Sequence, residues 1–184
     1  ADTIGGINFN NNTQKRNFKI TNNIYSLDGI GIHPENLEVT SQISTASFTD
    51  ASDGLVCATM YKFVNRDTIN SVRVYISAQS QANAELLLYI IDSTNYINGN
   101  FGDALSTSDL YIVTESDVNN GYIEIPVIGS DWPGDGTQSL PIEPGTYYAA
   151  VEMYSLGGEY NIGIIDDLTV GQPAWSSSIW IPQS

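Results

Sequence analysis

Along the chain, apolar side chains recur at every second position in short runs, and no stretch sustains the three-to-four spacing of a helical stripe. The runs lie at about 17–25 (NFKITNNIY), 36–43 (NLEVTSQI), 54–64 (GLVCATMYKFV), 69–78 (INSVRVYISA) and 84–92 (AELLLYIID). They continue at 108–115 (SDLYIVTE), 121–128 (GYIEIPVI), 145–154 (GTYYAAVEMY), 160–165 (YNIGII) and 178–182 (SIWIP). Turn-forming clusters separate them, among them TDASDG, VNRDT, STNYINGNFGD, VNNG, GSDWPGDG, EPG and SLGGE. Short strands punctuated in this way predict an all-β chain, an antiparallel sandwich or barrel. Residues 103–110 have room for a single helical turn.

Alternation assigns the faces. Val72, Val74 and Ile76 are predicted inward, with Ser71, Arg73, Tyr75 and Ser77 outward. Ile123, Ile125 and Val127 go inward while Tyr122, Glu124 and Pro126 do not, and Pro126, which lacks a ladder donor, marks an edge or an end. ELLLYII is apolar on both faces, as suits a central strand covered on both sides. In 145–154, Tyr147, Ala149, Val151 and Met153 form the apolar set, so Tyr147 is predicted buried. Tyr148 and Tyr154, beside Ala150 and Glu152, are predicted on an outward surface.

With 184 residues the chain is long enough for one domain that buries roughly 70% of its unfolded surface. Residues 1–15, Asn-rich and weakly patterned, read as an extended lead-in or edge strand, and 16–184 as a single β-domain. The 21 acidic residues against six basic ones repel phosphate backbones and anionic headgroups, so neither nucleic acid nor membrane is expected as a partner. No run approaches the 18 apolar residues of a spanning helix. The opening ADTIGG suits a mature chain after signal removal or the edge of an excised segment. Cys57 is the only cysteine, so no internal disulfide can form, and its apolar run predicts a small buried hydrophobe.

The strings TINSVRVYIS, AELLLYIID, GYIEIPV and LPIEPGTYYAAV give the region from about 46 to 182 a wider resemblance. It is similar to the jelly-roll modules of large secreted or surface proteins in bacteria that use type IX secretion and gliding motility. The resemblance implies an antiparallel β-sandwich of jelly-roll type at an extracellular or cell-surface location. It implies a spacer, adhesive or carbohydrate-contacting role beside other domains of a larger protein, and it transfers no functional residue. Asp-Thr-Ile at 2–4 and 67–69 and Asp-Ser-Thr at 92–94 resemble the O-glycosylation triplets of such bacteria.

Catalytic chemistry is poorly supplied. His33 is the single histidine and follows no G-x-S-x-G elbow, so a loop histidine is the expectation, and a pairing with Cys57 would need that thiol exposed. Glu124 and Glu152, both on outward strand positions, are the pair to consider for a glycosidase; solvated surface acids are the simpler reading. No enzyme activity, no catalytic residue, no metal-ligand set and no cofactor are expected. Calcium is the one ion the acid-and-glycine turns suit, at Asp50 and Asp53, Asp131 and Asp135, or Asp166 and Asp167, although Asp and Gly are also what turns require. For a polysaccharide, the candidate stacking rings are Trp132, Tyr154, Tyr160 and Trp175, with Trp180 facing either way. Large rings commonly pin a loop to the core, and packing is weighed ahead of ligand contact for each. The function expected is a non-catalytic structural or adhesive module, with a carbohydrate-binding module attached to an extracellular enzyme as the alternative.

Overall fold

The computed structural model describes residues 21–26, 41–47, 53–129, 139–166 and 174–181. Its longest sheet is built on β10 (Gly145–Tyr154), paired antiparallel on one side with β2 (Leu55–Phe63) and on the other with β5 (Glu85–Asp92). β12 (Ser177–Trp180) extends the sheet beyond β2, and β6 (Ser106–Thr107) and β7 (Tyr111–Ile112) extend it beyond β5. The second layer pairs β4 (Ser71–Tyr75) with β8 (Tyr122–Pro126) and β1 (Ser41–Ser44) with β11 (Gly163–Asp166). An Ile76–Ile164 bridge and the 2.8 Å bond from Ser77 N–H to Gly163 C=O hook β11 onto the free side of β4. β3 (Asp67–Ile69) and β9 (Leu140–Ile142) form a separate antiparallel pair whose Ile69, Leu140 and Ile142 pack on the main core.

The two layers enclose a dry interior. Leu55, Leu86, Leu88, Ile90, Val151 and Met153 come from the first layer, and Val74, Ile76, Ile123, Ile125 and Val127 from the second. All are buried, each contributing about 1.5–3 kcal/mol. The chain is an all-β antiparallel sandwich. The alternation predicted for 71–77 and 122–127 holds at the aliphatics, with Val72 half-buried, but Ser77, predicted outward, is buried where its N–H bonds Gly163, and β8 ends at Pro126. Among the described residues no helix is long and apolar enough to cross a membrane.

The first sheet is covered on its other face too, and there the tyrosine prediction reverses. Tyr148, expected outward, is 1% exposed, while Tyr147 is only half-buried against the main core. Tyr148 joins Val56, Ala58, Ile91, Tyr96 and Ala150 in a second apolar cluster, roofed by the excursion from β5 to β6. That excursion holds α1 (Ser93–Ile97), a single 3-10 turn at Phe101–Asp103, and the two rings that do the covering, Tyr96 and Phe101. Asp92 starts α1 by accepting from the Thr94 and Asn95 amides.

Other departures are local. The helical turn expected within 103–110 is not there; a helix, α2 (Glu115–Asn120), follows instead. Thr114 and Asp117 cap it reciprocally, and Gly121 ends it at φ 74°. Residues 21–25 form no strand, and the run at 108–115 pairs only at Tyr111 and Ile112. The lead-in 1–15 lies outside the described residues.

Cys57 faces the main core from β2. Burial, with a smaller contribution from the Asp166 charge, pushes its thiol up to about 12. A thiol so rarely ionised is a poor nucleophile. In native buffer at pH 8 we expect iodoacetamide to label Cys57 at least tenfold more slowly than in denaturant, as read by mass spectrometry.

Candidate functional site

The predicted sugar-stacking rings do not form one platform. Trp132 lies outside the described residues. Tyr154 projects from β10 onto the face of the first sheet turned away from the main core, whereas Tyr160 is half-buried against that core. Trp175 is 71% exposed at a left-handed φ of 69°, and its carbonyl accepts from the Tyr148 hydroxyl at 2.8 Å. Trp180 stands opposite Val56, on the same outer face as Tyr154. Its ring meets Phe101 edge-on at 5.9 Å and lies against Gly99, where an added Cβ would come within 2.8 Å of it.

That outer face divides into two halves. Over Tyr148, Ile91, Ala150 and Ala58, the 93–104 excursion makes a roof, and Tyr96 stacks on Tyr148 with centroids 4.0 Å apart. Tyr96 is tied onward through its hydroxyl to Ser178 of β12. Tyr89 lies at the edge of the roof, its ring 5.6 Å from Phe101, and beyond it the strands present Glu85 and Leu87 from β5 and Glu152 and Tyr154 from β10, all partly exposed. In register, Glu152 faces Leu87 on one side and Val56 on the other, and Tyr154 faces Glu85. Glu85 and Glu152 are therefore diagonal neighbours, about 7–8 Å apart at Cα.

Tyr89 donates its hydroxyl to Glu152 Oε2 at 2.5 Å. Burial and then the Glu152 carboxylate raise the Tyr89 phenol well above its usual range. The same two causes lift Tyr154 to about 12. Both phenols stay protonated through neutral pH as donors aimed at a central acceptor. Rings, hydroxyls and carboxylates on one half-exposed surface are what a polyhydroxylated ligand with apolar C–H faces requires.

The other acids have structural positions. Glu124, proposed as a partner for Glu152, lies across the main core from it. It stands on the outer side of the second layer, holding Arg73 at 2.8 Å and Ser71 at 2.9 Å. The two layers between them rule out a shared cleft. Asp53 clasps the turn after β10, accepting from Ser155 N–H, Ser155 Oγ and Gly157 N–H. Asp166 sits in β11 opposite Ser41. Among the described residues no three His, Cys, Asp or Glu side chains converge to hold a metal ion. Asp50, Asp131, Asp135, Asp167, His33 and the 2–4 triplet lie outside them. In the other two triplets, Asp67 accepts from Tyr25 and from the Thr68 amide, and Asp92 caps α1.

Burial alone would raise the Asp53 carboxyl, but the two backbone bonds and the Ser155 hydroxyl outweigh it and hold the group below its ordinary value. A depressed folded pKa contributes stability above the unfolded value near 4, lost as pH falls through the folded value. Asp53→Asn is therefore expected to lower stability by about 1 kcal/mol at pH 7. The gap should narrow below pH 4, as measured by thermal melts across pH 2–7.

Sequence reasoning missed Glu85, Tyr89 and the placement of Trp180. The alternation of 84–92 does put Glu85, Leu87 and Tyr89 on one face, but only the register shows that this face meets Glu152 and Tyr154. Compared with models of protein families, with curated proteins and with solved structures, the chain matches none of them.

Proposed function

We propose that this chain is a non-catalytic jelly-roll module of a secreted or cell-surface bacterial protein, acting as a structural or adhesive unit beside other domains. The observation that carries the proposal is the assignment of three candidate reactive groups among the described residues to scaffolding. Glu124 is locked with Arg73 outside one layer, Asp53 clasps a turn, and the Cys57 thiol is inward. The order β1-β11-β4-β8 and, within the six-stranded first sheet, the run β2-β10-β5-β6 support the jelly-roll reading, because two four-stranded layers wrap around one interior in that architecture and β12 and β7 are additions to one of them. The proposed location rests on the sequence resemblance to jelly-roll modules of large secreted or surface proteins in bacteria that use type IX secretion and gliding motility. A screen of the purified chain against chromogenic glycosides and esters should give no turnover, and turnover lost on Glu152→Gln would sink the proposal. Surface proteolysis of the producing cells should release the chain, and confinement to the cytosol would contradict its placement.

A second reading, a carbohydrate-binding module attached to an extracellular enzyme, is favoured by one observation: Tyr89, Glu152 and Tyr154 share the half-open sheet face. Adhesion to a glycan and retention of an attached enzyme on a glycan would use the same surface.

A further inference from the structure

We infer that Tyr75 and Tyr122 form an oxidative cross-linking site, which a peroxide-driven one-electron oxidant joins into a covalent staple between β4 and β8. The two residues stand opposite each other in register on the outer side of the second layer. The next pair along, Ile76 and Gly121, is joined by a 3.0 Å bond from Ile76 N–H to Gly121 C=O. Hydrogen-bonded and non-hydrogen-bonded pairs alternate in an antiparallel ladder, so Tyr75 and Tyr122 are of the second kind, in which side chains come closest. Their ring centres are 6.2 Å apart with the planes at 58°, and small rotations about the soft χ2 bring the ring edges together. Arg73, held by Glu124 at 2.8 Å, lies 4.6 Å from the Tyr122 ring centre and fixes that ring in place.

Access singles this pair out. Tyr75 is 40% exposed and Tyr122 half-buried, so an oxidant in solution reaches both rings. Tyr96 and Tyr148 stack more closely, but both are buried. Tyr147, opposite Tyr61, turns its ring toward Phe63 and gives its hydroxyl to the Glu143 carbonyl. Tyr89 spends its hydroxyl on Glu152, which stands between it and Tyr154.

The chemistry balances with hydrogen peroxide as the terminal oxidant. Each phenol gives up one electron and one proton, leaving a phenoxyl radical whose unpaired electron spreads to the ring carbons beside the oxygen. Coupling of the two radicals forms one Cε–Cε bond. The hydrogen on each joined carbon then returns to the oxygen, restoring two phenols. The protein loses two hydrogen atoms, and the peroxide is reduced to two waters. Cys57 is the only cysteine, so the chain has no internal disulfide. A tyrosine link from β4 to β8 closes a loop of chain in the same way and restricts the unfolded state as a disulfide does.

The test treats the dilute full chain with hydrogen peroxide and a haem peroxidase, with product followed by dityrosine fluorescence, size and peptide mass spectrometry. The expected product is a monomer lighter by two hydrogens, with one cross-linked peptide pair containing Tyr75 and Tyr122 and a raised urea midpoint. In denaturing urea, where the two residues must first find each other, the yield of that link should fall about tenfold. Tyr75→Phe and Tyr122→Phe, which keep the rings and remove the hydroxyls, should each abolish it, and Tyr154→Phe should leave it unchanged. Links that join other tyrosines or form only between molecules would overturn the site. So would the absence of any link while free tyrosine couples in the same mixture. An equal yield in urea would show that the fold does not direct the coupling, and an unchanged midpoint would overturn the stapling role.

Discussion

Tyr148→Ala is expected to lower the free energy of unfolding by about 3–5 kcal/mol, the loss usual for truncating a fully buried large aromatic. Tyr148 sits on the strand paired on both sides, 1% exposed, with its ring stacked on Tyr96 and its hydroxyl donating to the Trp175 carbonyl. One side chain thus links the central strand, the 93–104 excursion and the approach to β12. Alanine would leave a void that the excursion, held to the sheet largely by these rings, can fill only by shifting. Tyr148→Phe keeps the stack and loses the hydroxyl, and should cost about 1 kcal/mol. Urea unfolding of both variants separates packing from hydrogen bonding. A loss below 1 kcal/mol for the alanine variant would mean the second cluster is not a packed interior.

Ile123→Ala should cost about 2–5 kcal/mol, and Glu124→Ala, the next residue along, no more than about 1 kcal/mol. Ile123 is fully buried between the layers opposite Val74. Glu124 faces solvent and forms an ion pair with Arg73, whose guanidinium also lies 4.6 Å from the Tyr122 ring centre. Two adjacent positions with such different sensitivities are the energetic signature of a strand with one wet and one dry face. Equal losses at both would contradict the assignment of faces in the second layer.

How far the fold was legible depends on what covers each strand. In 71–77 and 122–127 the outer face is wet, so a simple alternation of aliphatic and polar residues named the inward side correctly. In 84–92 an apolar run on both faces predicts a strand covered on both sides; the inner face is buried throughout, but on the outer face only Ile91 is, and Glu85, Leu87 and Tyr89 stay partly exposed. The failure came one strand over. Tyr147 and Tyr148 are chemically identical, so alternation could assign them only by assuming one wet face. The residues that dry the second face, Tyr96 and Phe101, lie in STNYINGNFGD, a stretch whose Asn and Gly content signals a turn. The same composition hid α1, whose stability comes from the Asp92 cap and the docking of Tyr96 rather than from a helical stripe.

For the candidate site, the individual residues were visible and their juxtaposition was not. Tyr154 was named as a stacking ring, and Glu152 was matched with Glu124, a partner on the far side of the core. Strand register decides such neighbours, and it is fixed by pairing between segments some sixty residues apart in the chain, with no local signature. The acids named for calcium illustrate the opposite case. The simpler expectation, that turns need Asp, describes Asp53 fully, since its carboxylate is consumed by the Ser155 and Gly157 groups.

All of these expectations depend on β10 lying at the centre of the first sheet, dry on one side and half-roofed on the other. Native-state hydrogen exchange measures this directly. Amides of residues 147–153, bonded to β2 and β5 on alternate sides, should be the slowest in the protein and open only with global unfolding, while those of β12 and β1 exchange by local opening. Exchange in 147–153 as fast as in the edge strands would contradict the sheet order, and with it the surface proposed to meet a polysaccharide.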